Sequence, residues 1–73
     1  MRLEPGDLMR LTIDAILTPA DVQTPNVRVT YGRRGDIVVL VKPFRTTTEH
    51  LIMHPTLGLR EVFGGSVKRE GKR

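Results

Sequence analysis

The sequence has no cysteine, no tryptophan, a single serine (Ser66), and only three aromatic residues, Tyr31, Phe44 and Phe63. Without cysteine, disulfide staples and thiolate-based zinc or iron–sulfur sites are excluded, and a thiol-free chain fits a reducing compartment. Long hydrophobic runs are also missing. The longest, Ile37–Val41, is far short of the ~20 residues needed to span a bilayer. Glu4 and Asp7 interrupt the N-terminal stretch before any apolar run, which does not fit a signal peptide. A cytoplasmic, membrane-free protein is expected. The missing chemistry points the same way. Ser66 is isolated beside glycines, the carboxylates are scattered singly, and the glycines match neither a phosphate-binding loop nor a dinucleotide fingerprint. No enzyme activity, no catalytic residue and no cofactor are expected.

What remains is a chain of 73 residues, one domain near the lower limit at which a core supports itself. Its apolar set of eight Leu, eight Val and four Ile is rich in β-branched side chains, which favour strands. "EPGD", Glu4–Asp7, is a turn signature, and Leu8–Ile13 then alternates as a half-buried strand. Two Thr-Pro pairs mark Thr18–Asn26 as a loop with at most one helical turn. Val27–Tyr31 alternates, Gly32–Gly35 reads as a tight hairpin connection, and Asp36–Val41 is apolar on both faces, as a central strand is. Glu49–His54 and Leu59–Phe63 complete five short strands, with Phe44 and Phe63 assigned to the core. Gly64-Gly65 is expected to release residues 66–73 as a flexible basic tail, leaving residues 1–65 as the folded domain. The expectation is an all-β fold: a small five-stranded barrel or a highly curved antiparallel sheet.

The net charge of +4 is unevenly placed. Residues 1–27 carry −2, residues 28–34 carry +3 from Arg28, Arg33 and Arg34, residues 35–65 are neutral, and residues 66–73 carry +3. Two basic segments beside an acidic one suggest an oriented surface.

"PGDLMRLT", "GRRGDIVVLV" and the closing "LGLREVFGG" together resemble an SH3-like barrel of the KOW type, over Pro5 to about Phe63. A long proline-containing loop at Thr18–Asn26 departs from that pattern. The resemblance implies a non-enzymatic module that docks on RNA polymerase, ribosomal RNA or protein peptides. In size and composition the chain also resembles the small regulators that bacteriophages encode to redirect host transcription, which would place it in the host cytoplasm.

Candidate contact residues follow from charge and pattern. Arg33 and Arg34, with Arg28 on the same expected hairpin, offer planar forks suited to carboxylates and phosphates. Lys68, Arg69, Lys72 and Arg73 form the second basic segment. His50 and His54 share a strand face with Ile52 between them. With no further ligands in reach they are not read as a metal site, but as a semi-apolar outer patch for a protein contact. With few aromatic platforms, sequence-selective nucleic-acid reading is disfavoured and non-specific phosphate contact remains open. The leading expectation is a monomeric regulatory protein that docks on the transcription machinery, RNA polymerase first. A nucleic-acid-binding accessory protein is the alternative, and a virion structural or assembly adaptor the third.

Overall fold

The computed structural model describes residues 2–19 and 30–72. The loop expected over Thr18–Asn26 lies, beyond Pro19, outside the described residues, as do Val27, Arg28, Val29 and Arg73. Seven strands form one antiparallel sheet: β1 (Asp7–Leu11), β2 (Ala15–Pro19), β3 (Thr30–Gly32), β4 (Ile37–Lys42), β5 (Glu49–His54), β6 (Gly58–Phe63) and β7 (Val67–Lys72). Their order is β3-β2-β6-β5-β4-β1-β7. The sheet is not closed, because its edge strands β3 and β7 do not pair with each other. A single 3₁₀ turn, Gly64–Ser66, is the one helical element among the described residues. No described helix is long and apolar enough to cross a membrane.

The all-β expectation holds, but the strands divide differently. β1 pairs with β4, placing Leu8 opposite Val39 and Arg10 opposite Ile37. β2 pairs with β3, placing Ala15 opposite Gly32 and Leu17 opposite Thr30. One register runs through both halves. The two segments therefore make a single long ribbon, bent where Thr12–Asp14 faces Arg33–Asp36. The hairpin expected across Gly32–Gly35 is absent: β3 and β4 lie end to end along one edge of the ribbon, and Arg33–Asp36 is its corner.

Local chemistry explains the bend. Leu11 keeps the ladder intact across it, donating its N–H to Asp36 O at 2.9 Å and accepting from Gly35 N at 2.8 Å. Gly35 sits at φ 93°, a conformation that side chains disfavour. Gly32 permits a close approach instead: a Cβ there would lie 2.5 Å from Leu11 Cδ1 and 2.8 Å from Leu17 Cδ1. Alternation then carries the inward residues through the corner. Met9, Leu11, Ala15 and Leu17 of the first segment meet Val38, Leu40, Ile52 and Val62 to form the buried core.

The chain after Gly65 is a strand, correcting the expected flexible tail. β7 runs antiparallel to β1, with Arg10 opposite Lys68 and Asp7 opposite Lys72, and a bulge between Leu8 and Met9. The 3₁₀ turn redirects the chain, and Thr12 donates both its N–H (2.9 Å) and its hydroxyl (3.2 Å) to Ser66 O. Val67 packs on the core. Arg10 pairs with Glu70 at 2.6 Å, and Arg69 Nε stands 3.4 Å from the buried carboxylate of Asp7. A strand with a core residue and two cross-strand charge pairs is held in place, basic as it is.

Gly32→Ala is therefore expected to destabilise the protein by about 1–3 kcal/mol, the usual range for overpacking a filled core. Gly71→Ala, where an added Cβ meets nothing within 4 Å, should change stability by less than about 0.5 kcal/mol. Urea denaturation of the two variants checks the difference.

Candidate functional site

The corner that bends the ribbon also presents Arg33 and Arg34. Their backbone is fixed by two carboxylates: Arg33 N–H donates to Asp36 Oδ2 at 3.0 Å and Arg34 N–H to Asp14 Oδ1 at 2.8 Å. A further turn bond runs from Asp36 N to Arg33 O at 3.0 Å. Both arginines are exposed, and neither guanidinium has an ion-pair partner among the described residues. The acids beside them are engaged by main-chain N–H groups, so two side-chain forks remain available on a fixed support.

Asp14 also lines an open groove of about 490 Å³ whose apolar walls are Ile13, Ile16, Tyr31 and Phe63, with Glu49 at the rim. Strand register builds it. Ile16 faces Tyr31 across β2 and β3, and Glu49 faces Phe63 across β5 and β6. β2 joins β6 through Thr18 and Glu61. The four apolar walls are 51–61% exposed, a concentration of large side chains that an isolated surface would not retain for stability.

The histidine patch is not where the sequence reading put it. His50, Ile52 and His54 are buried, while their neighbour Met53 is exposed. The inward face of β5 is thus the histidine face, and each ring accepts a main-chain N–H there. His50 Nδ1 accepts the N–H of Phe44 at 2.9 Å. His54 Nε2 donates to Asp36 Oδ2 at 2.9 Å, while its Nδ1 accepts the N–H groups of Thr56 and Leu57, both at 3.2 Å. These are structural pegs and offer no contact surface. Among the described residues, no group of three or more His, Asp or Glu could hold a metal.

Phe44 and Phe63, expected in the core, are 61% and 56% exposed. The small core is already filled by aliphatic side chains, so the rings lie outside it. Phe63 covers Gly65, where an added Cβ would come within 2.5 Å of the ring. Phe44 holds φ at 49°, the one non-glycine residue with positive φ among those described. Its ring meets His50 edge-on at 4.5 Å.

The second basic segment is only partly available. Lys68 is exposed, whereas Arg69 leans toward Asp7 and is half-buried. Lys72 ends β7, and nothing is described of its side chain; Arg28 and Arg73 lie outside the described residues. Lys68 and Arg10 are cross-strand neighbours, and the next residue of β1, Leu11, bonds to Asp36 just after the paired arginines. Parts of both basic segments thus meet at one end of the sheet. The groove walls were missed from sequence. Their signal is the alternation in Ile13–Leu17, which, with Ala15 and Leu17 inward, turns Ile16 outward. Comparison with family models, curated proteins and solved structures finds no match to this chain.

The pegs carry a pH signature. Burial pushes the His50 imidazole below its ordinary 6.5, so below that pH the unfolded chain takes up a proton that the folded chain refuses. Its stabilising contribution is complete above the unfolded value and declines as pH falls toward the folded one. Asp36 is held below 3.8, first by the His54 hydrogen bond and then by the Arg33 N–H. Its contribution is present above that value and is lost as pH falls through the lowered one. Melting temperature should therefore fall in two stages on acidification. His50→Asn, which keeps an acceptor but cannot titrate, should flatten the first stage and leave the second.

Proposed function

We propose that this chain is a non-enzymatic regulatory module that docks on the transcription machinery, with RNA polymerase as the first partner to test. The observation that carries the reading is the juxtaposition of an exposed groove containing two aromatic rings with two unpaired arginines on a fixed corner. Tyrosine and arginine are residue types that dominate binding energy at protein interfaces. A rigid backbone beneath them reduces the ordering cost of association. The finer architecture belongs to the same proposal. We read the curled sheet as the five-stranded SH3-like barrel of the KOW type that Pro5–Phe63 resembles. The continuous register of the bent ribbon supports this, because merging β1 with β2 and β3 with β4 leaves four strands within Pro5–Phe63, and β7 just beyond it is the fifth. On this reading the protein acts in the cytoplasm of a bacterial host, as a phage-encoded regulator would.

One observation favours a second reading. Tyr31, Phe44 and Phe63 are all exposed, so stacking platforms for a single-stranded nucleic acid are more numerous than the sequence suggested. Protein docking remains first, because Tyr31 and Phe63 share their groove with Ile13, Ile16 and the acids Asp14 and Glu49, which repel a phosphate backbone.

Tyr31→Ala, and Arg33→Ala combined with Arg34→Ala, should each weaken binding to purified RNA polymerase by about 2 kcal/mol or more. Melting should shift by no more than about 2 °C, since these side chains are exposed. Calorimetric titration reads the first effect and thermal denaturation the second. Undiminished polymerase binding by both variants would refute the docking site. Tight retention of a defined single-stranded RNA or DNA at physiological salt would make the second reading correct.

A further inference from the structure

The outer face of the sheet carries a second apolar surface, centred on β1, β4 and β5 and sharing only β6 with the groove, where Phe63 is a groove wall and Leu59 belongs to this surface. Leu8, Val39, Met53 and Leu59 are successive cross-strand partners on β1, β4, β5 and β6. They form one unbroken row across four strands. Ile37 and Val41 flank Val39 on the same side of β4, Val41 at the bulge between Leu40 and Lys42. Met53, Leu59, Val41 and Ile37 are 37–42% exposed. Leu8 and Val39 are half-buried, and neither joins the core cluster. Single exposed hydrophobic residues need no explanation, but a contiguous row does.

The charges around this face are arranged by corner. Arg10 and its neighbour Lys68 lie on β1 and β7, beyond Leu8 toward the bend. Glu61 lies two residues along β6 from Leu59, in the opposite direction along the sheet and at its other side. Lys68 and Glu61 have no ion-pair partner among the described residues. Arg10 is held by Glu70, and Lys42 lies within the face, two strands from Glu61 in the same row. The ends of the diagonal are therefore the cation Lys68 and the anion Glu61, and that diagonal is complementary to itself. A two-fold axis lying in the plane of contact and perpendicular to that diagonal brings each Lys68 onto the Glu61 of the other copy, while the two apolar rows cross at their centres.

We infer that this face binds a second copy of the chain, forming a symmetric dimer through the Leu8–Val39–Met53–Leu59 row. This departs from the monomer expected from sequence, and it stands independently of the groove and its partner. Six side chains and a charged rim make a small interface, so the dimer is weak and reversible.

Sedimentation equilibrium of the full chain tests it. The mass should rise from monomer to dimer over roughly 1–300 µM, the range of a modest interface. Met53→Lys should weaken dimerisation at least about tenfold, as burying one unpaired charge does, while leaving the melting temperature of the dilute monomer unchanged. If that variant fails to fold, Val41→Lys at the edge of the row provides the same test. Glu61→Lys should also weaken the dimer, and adding Lys68→Glu to the same chain should restore it. A wild type that stays monomeric throughout this range overturns the inference. So does a dimer indifferent to these lysines, or a charge swap that restores nothing.

Discussion

The structure depends on a ribbon that turns a corner without breaking its ladder. At that corner Gly32 lets one backbone approach two fully buried leucines, Leu11 and Leu17. Gly35 and Asp36 meanwhile keep Leu11 hydrogen-bonded on both its N–H and its carbonyl. Every other arrangement follows from this. One segment supplies both β1 and β2, so the core receives Met9 and Leu11 from one arm and Ala15 and Leu17 from the other. Continuing the alternation through the bend turns Ile16 and Tyr31 outward into the groove. Arg33 and Arg34 sit at the corner itself, both exposed.

The two buried histidines do complementary work on the connections. His50 fixes Phe44 in an unfavourable backbone conformation, and an added Cβ on Gly64 would lie 3.0 Å from its Nε2. His54 gathers the turn after β5 with its Nδ1 and reaches the corner with its Nε2. Each ring acts as an acceptor toward the main chain, a role open only to a deprotonated ring nitrogen. Among the described residues, the buried polar side chains are two imidazoles, one carboxylate at the head of β1, and a serine, each placed where a loop meets the sheet.

Much of the fold was legible because alternation is a local signal. The strands around Met9, Val38–Leu40, Ile52 and Val62 follow from it, as does the turn at Glu4–Asp7. Pairing was harder to read. "GRRG" between two apolar runs is the pattern of a hairpin, and nothing local separates a hairpin from a bent continuous strand. The deciding partner, Leu11, lies more than twenty residues away. The facing of β5 failed for a related reason. His50 and His54 look polar, and polarity suggested solvent, but their partners Phe44 N–H and Asp36 are supplied by tertiary structure. The C-terminal strand was hidden by its charge, since Val67 is its only aliphatic residue. The arginines of the candidate site were visible in the composition. The groove beside them was not, because its apolar walls come from three separate stretches of chain.

The pairing of β7 with β1 has a kinetic consequence. Arg10 and Glu70, joined by an ion pair, are 60 residues apart in the chain. β1 leaves the ribosome well before β7 and can take β4 as its neighbour on one side early, but its other side stays open until β7 is made. A long loop must close before that contact returns any stabilisation, and topologies dominated by such distant pairings fold slowly for their size. The nascent chain therefore passes through an interval with the ribbon formed and one edge of β1 unprotected. The lysine-bearing strand β7 also serves as the cover for that edge, its charges discouraging further strand addition.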